Sequence, residues 1–110
     1  MDKYEETQGI LFDVMTPIGF RVRVTRSYWK IIVGAKHPVM AGHEKDVEET
    51  LVNPEEVRRS KEDTSVYLFY KKKREMRWVC AVSKKVDGSG FLITAYPTDS
   101  IKAGEKIWPK

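Results

Sequence analysis

Two neighbouring segments late in the chain constrain its folding most. Met76, Trp78, Cys80 and Val82 alternate along one of them, and Phe91, Ile93 and Ala95 along the other, while Asp87-Gly88 between them supplies tight-turn chemistry. A period of two predicts strands over 76–85 and 90–96, joined as a hairpin, with these two sets forming the core side of an antiparallel sheet. Val57 to Ser60 and Thr64 to Lys71 read as two further strands. The opposite face is then expected to carry Arg77, Thr94 and Tyr96, polar groups where a covered sheet would place aliphatic ones.

The first half of the chain reads differently. Ile10, Phe12 and Val14 alternate, as do Phe20, Val22 and Val24, across Thr16-Pro17-Ile18-Gly19, which predicts an N-terminal β-hairpin over 9–25. Residues 1–8 read as a loose lead-in. The period then changes: Tyr28, Ile31, Ile32 and Ala35 follow helical spacing, with Thr25 or Ser27 as N-cap and Lys36-His37-Pro38 as the stop. A second helix over roughly 41–51 places Met40, His43, Val47 and Leu51 near one face. Asn53-Pro54-Glu55-Glu56 resembles a helix start but has little room, and reads as a corner. The expected class is therefore α+β: hairpin, two helices, then a four-stranded antiparallel sheet.

A length of 110 residues fits one domain, 1–110, able to bury roughly two thirds of its unfolded surface without staples. One cysteine excludes an internal disulfide and suits a reducing compartment. The longest apolar run, Trp78 to Val82, is far short of the roughly 20 residues of a membrane span, and Met1-Asp2-Lys3 opens no signal sequence, so a cytoplasmic protein without membrane contact is expected. The net charge is only +4, but acidic residues crowd 44–56 and basic ones dominate from Arg58 to Lys85. A basic surface on the second half follows, although Lys71 to Arg74 alone reads as a solvated hairpin tip.

His37 stands at a helix end, where carbonyls favour its protonated form, and imidazole is the side chain best suited to proton transfer at neutral pH. A helix-capping histidine is the plainer reading. His43 falls in line with Met40 and Val47 and reads as a core-edge residue. The two histidines are six apart, and no HExxH, CxxC, P-loop, GxGxxG or GxSxG occurs, so neither a metal site nor a cofactor is expected. Thr94 and Tyr96 point the same way from one strand and could both bond a phosphate oxygen, with Arg77 and Arg58 or Arg59 adding guanidinium forks. A histidine, a tyrosine, a threonine and arginines suit RNA cleavage by internal transesterification, in which the 2′-hydroxyl is the nucleophile.

Lys36-His37-Pro38-Val39-Met40, Leu51, Pro54, Val57, Ser60, Tyr67-Leu68-Phe69-Tyr70 and Gly90-Phe91-Leu92-Ile93-Thr94-Ala95-Tyr96-Pro97-Thr98 resemble phage and bacterial members of the barnase, EndoU, colicin and RelE-like (BECR) ribonuclease superfamily. The resemblance covers 27–108 and leaves out the 9–25 hairpin. It implies helices followed by a four-stranded antiparallel sheet with an RNA-cleaving face. Residue by residue it implies His37 as the helix-end histidine, Arg59 or Ser60 as the polar position on the first sheet strand, and Thr94 and Tyr96 as the last-strand pair. Together with the reading of the residues this gives His37, Tyr96, Thr94 and Arg59 as the expected catalytic residues, with Arg58, Ser60, Arg77 and Lys71 expected to bind substrate. EndoU-like members use two histidines and a lysine, which raises His43 as a second histidine. RelE-like members cleave on the ribosome.

The expected activity is a metal-independent endoribonuclease, a toxin or phage-derived effector, with RNA and a cognate inhibitor protein as partners. Two other functions fit the residues. The basic, aromatic-bearing face would serve a non-catalytic nucleic-acid-binding module, and the strands with the acidic helix would serve a protein-interaction domain.

Overall fold

A computed structural model describes residues 9–101 and 103–110, so the expected lead-in over 1–8 lies outside the described residues. Strands β1 (Ile10–Met15) and β2 (Arg21–Thr25) pair antiparallel, and the Thr16 hydroxyl donates to the Phe20 carbonyl at 2.7 Å to close the turn. The Thr25 hydroxyl accepts the Tyr28 N–H at 3.1 Å and so caps helix α1 (Arg26–Ile31). The helix continues as a wider π-turn over Ile32–Lys36, closed by the His37 N–H on the Ile32 carbonyl at 2.8 Å. A 3₁₀ turn (Pro38–Met40) leads to helix α2 (Glu44–Val52). Asn53 caps α2, and the corner at Pro54 opens into β3 (Glu56–Arg59), β4 (Val66–Arg74), β5 (Arg77–Val86), β6 (Ser89–Thr98) and β7 (Glu105–Trp108). Among the described residues no helix is long and apolar enough to cross a membrane.

All seven strands form one mixed sheet in the order β1-β2-β6-β5-β4-β3-β7. The class is α+β, but the expected layout of a hairpin set apart from a four-stranded sheet is corrected. β2 runs parallel to β6 through Val22–Gly90 and Arg23–Phe91, which attaches the hairpin to the sheet, and β7 extends the other side along β3. Gly90 makes the junction possible, because a Cβ there would lie 2.9 Å from both the Arg21 carbonyl oxygen and the Phe20 ring. β7 is only four residues long, too short to announce itself by alternation.

Both faces of the central strands are covered. Under the helices, Trp29, Ile32, Met40, Val47 and Leu51 pack on Val22, Val57, Phe69, Val79, Ala81, Leu92 and Ala95. On the other face Leu68, Tyr70 and Cys80 pack with Trp78, Val82, Tyr96 and Ile101. The face expected for β5 is therefore corrected: Val79 and Ala81 face the helices, and Trp78, Cys80 and Val82 form the smaller cluster. Because Trp78 to Val82 is apolar at every position, alternation alone could not say which parity meets the helices. Met76 lies in the β4–β5 turn, exposed and at φ 60°.

In β6 the register slips between the Val82–Thr94 and Ser83–Leu92 pairs, leaving Ile93 as an extra residue. Leu92 and Ala95 both enter the main core across this bulge, and Phe91 is left exposed. In the first helix Trp29 and Ile32 are buried, whereas Ile31 and Ala35 are exposed; for Ala35 the π-turn over Ile32–Lys36 shifts the helical phase. His43 is also displaced from its expected place at the core edge. It precedes the first turn of α2, is exposed, and its Nδ1 lies 2.9 Å from Asp46 Oδ2.

Candidate active site

β2 follows β6 only as far as Phe91, so beyond the bulge this side of β6 has no strand beside it. Its free Ile93 carbonyl accepts the Tyr28 hydroxyl at 2.9 Å and the Lys36 ammonium at 3.2 Å, and Lys36 also donates to the Tyr28 oxygen at 3.0 Å. These bonds tie the end of the π-turn to the sheet. Pro38 holds the residue before it back from helical geometry, and His37 adopts φ −141°, ψ 79°. Its half-buried imidazole thereby comes to lie 5.2 Å from the Tyr96 ring, centroid to centroid, at 42°.

Tyr96 stands on β6 directly opposite Cys80 on β5, and Tyr70 stands opposite the same cysteine from β4. The two phenols thus flank one buried thiol across three strands. Burial pushes the Tyr96 phenol well above the ordinary tyrosine range, reinforced by Cys80 and then Tyr70. Tyr70 moves the same way, first by burial and then through Cys80, while Arg58 acts against the shift. Burial pushes the Cys80 thiol up to about 11, against the pull of hydrogen bonds from Tyr96 and Tyr70. At neutral pH all three groups keep their protons. The phenols are hydrogen-bond donors, and the His37 imidazole lies beside one of them.

Thr94 shares the Tyr96 face, opposite Val82, and its Oγ1 is buried without a hydrogen-bond partner among the described residues. Arg58 is on this face too, further out on β3. Its Nε donates to Glu56 Oε2 at 2.7 Å and its Nη1 to the Gly104 carbonyl at 3.0 Å, so its fork is already engaged.

The other expected site residues are not brought to His37. Arg59 has the opposite parity on β3, where it pairs with Tyr67, stacks 5.5 Å over that ring and donates to the Thr64 carbonyl at 2.9 Å. Ser60 closes a turn, its oxygen accepting the Glu62 and Asp63 N–H groups. Lys71 donates to the Asn53 carbonyl at 3.0 Å, neutralising the C-terminal end of α2. Arg77 shares the parity of Val79, not of Tyr96, and lines a different cavity together with His43. For Arg59, Lys71 and Arg77 the reason is common: side-chain direction on a strand depends on parity, and parity was ambiguous where apolar runs or short strands offered two phases; Ser60 instead lies past the end of β3.

Tyr70, Lys36 and Tyr28 were not expected as site residues from the sequence. Lys36 carries a usable signal, since it adjoins His37 in Lys36-His37-Pro38, but the partners of Tyr70 depend on strand register. Among the described residues no group of three or more His, Cys, Asp and Glu side chains converges as a metal cluster. Comparison with protein-family models, curated proteins and solved structures finds no match to this chain.

Proposed function

We propose that this chain is a metal-independent endoribonuclease that cleaves RNA by 2′-hydroxyl transesterification, on the BECR plan of helices on one face of a sheet and chemistry on the other. The observation that carries the reading is the 5.2 Å approach of His37 to Tyr96 beside the unpaired stretch of β6. His37 takes the proton of the 2′-hydroxyl as its oxygen bonds to phosphorus. The bond from phosphorus to the 5′-oxygen breaks, and the neutral Tyr96 phenol gives its proton to that leaving oxygen. Water then takes the proton from the imidazolium and returns one to the phenolate, which restores both groups. One positioned acid–base residue contributes about 10²–10⁴-fold. The Thr94 hydroxyl supports the phosphate charge. RNA is the partner, and a cognate inhibitor protein accompanies the reading as a toxin or phage-derived effector.

The test is cleavage of free and ribosome-bound RNA in the presence of a chelator, with product ends analysed. Wild type should leave 2′,3′-cyclic phosphates. His37→Ala and Tyr96→Phe should each lose about 10²-fold or more with near-native melting, and the double variant should lose little beyond either single one. RNA bound but left intact by wild type on both substrates would indicate a binding module instead.

A further inference from the structure

A cavity of about 310 Å³ opens between the β4–β5 turn and the segment leading into α2. That is the lower end of the range for ligand pockets and room for a single small unit of ligand. Arg74 and Arg77 both line it, and they are also directly opposed in the strand register. Like charges facing each other across strands repel. Among the described residues neither guanidinium has a carboxylate within ion-pair distance.

The one carboxylate lining the cavity is already engaged. Asp46 meets His43 Nδ1 at 2.9 Å and Lys73 Nζ at 2.6 Å, and these contacts, His43 first, hold it below the usual carboxylate range. With Asp46 matched by Lys73, the two arginines remain as a surplus of positive charge. Val39, Trp78 and Pro97 form apolar walls. A ligand that suits this lining is anionic at one end and flat or apolar at the other.

The cavity lies close to His37 on the helix side of the sheet. Val39, which lines it, is two residues from His37, within about 7.6 Å by chain geometry, and Pro97 and Arg77 share the helix-facing parity of Val79, opposite to that of Tyr96. A strand bound at His37 can therefore reach this cavity on the helix side of the sheet. We propose that Arg74 and Arg77 hold an RNA phosphate beyond the scissile one, on the helix side of the sheet, with its nucleoside against Val39 and Pro97. The inference rests on the ribonuclease reading for the identity of the ligand, but its geometry involves neither His37 nor Tyr96.

The test uses fluorescence anisotropy of a labelled all-2′-deoxy oligonucleotide, which offers the phosphates without the nucleophile, titrated over a range of salt. Arg74→Ala/Arg77→Ala should weaken binding about tenfold and flatten the salt slope by roughly 1.4, the single-strand value for two phosphate contacts. Arg77→Gln should fall between the double variant and wild type. A control with the same charge loss elsewhere, Lys30→Ala/Lys61→Ala, should change affinity less than about twofold. Melting should stay at or slightly above wild type, since a repulsion has been removed. Equal losses in the arginine variant and the control would overturn the proposal, as would tighter binding of an acidic peptide of equal charge. Arginine-dependent binding by a wild type that cleaves no RNA would uphold the cavity and sink the catalytic reading. Unchanged KM for RNA in the double variant would do the reverse.

Discussion

Replacing Thr94 with valine should stabilise the protein while weakening the proposed RNA cleavage. The hydroxyl oxygen of Thr94 is buried and meets no hydrogen-bond partner among the described residues, and valine keeps the side-chain shape without the polar atom. A buried polar group without a partner costs about 1–3 kcal/mol. Thr94 as a whole is only half-buried, so the lower part of that range, ~1–2 kcal/mol, applies. For 110 residues the entropy of unfolding is about 0.23 kcal/mol/K, which makes the gain about 4–9 °C in Tm. Calorimetry of Thr94→Val and Thr94→Ser would measure it. Serine keeps the unpartnered oxygen and loses a methyl group, so it should melt below wild type. A valine variant melting at or below wild type would show that the oxygen is satisfied in solution, and the reasoning would fail. The same proteins carry the functional half: a more stable valine variant with RNA cleavage reduced, though less than in His37→Ala, is what a hydroxyl kept for the substrate predicts.

Two further perturbations test how the surroundings of the site are built. Gly104 sits at φ 83°, and a Cβ there would lie 2.6 Å from the Arg59 carbonyl oxygen, so Gly104→Ala must move the loop whose carbonyl holds Arg58. A loss of about 1–3 kcal/mol is expected, or roughly 4–13 °C in Tm, and unchanged melting would refute the close approach. Asp46 is held below its ordinary value of 3.8 by His43 and then Lys73. A depressed carboxyl stabilises the fold above its unfolded pKa and loses that contribution as pH falls through the folded value, so Asp46→Asn should be the less stable protein above about pH 4 and converge with wild type below it. The gap should be ~0.5–1 kcal/mol because the pair is partly solvated, and melting curves that run parallel from pH 7 to 2 would count against the pairing.

How much of this was legible in the sequence depends on how locally each feature is encoded. Thr25, one of the two N-cap candidates, Pro38 as helix stop and the Asp87-Gly88 turn act over a few residues, and all three lie within the sequence expectation. Face assignment in β5 was not legible, because Trp78 to Val82 has no polar residue to set its phase. Neither was the displacement of Arg59, Arg77 and Lys71 from Tyr96, since one residue of register turns a side chain through the sheet. The attachment of β2 to β6 rests on Gly90, whose missing side chain becomes informative only once Phe20 and Arg21 are known to lie against it.

That attachment is also what creates the candidate site. β2 accompanies β6 for two residue pairs and then leaves it, and the bulge at Ile93 falls just past the point of departure. The exposed Ile93 carbonyl needs partners, and Tyr28 and Lys36 supply them from a helix end that the π-turn has widened. His37, the next residue, is thereby carried to Tyr96, three positions along the same strand. A satisfied edge at this point, with β2 continuing along β6, would bury the Ile93 carbonyl in a ladder and leave the helix end no anchor. The approach of the imidazole to the phenol is thus a consequence of where strand pairing stops, which no motif around His37 or Tyr96 encodes by itself.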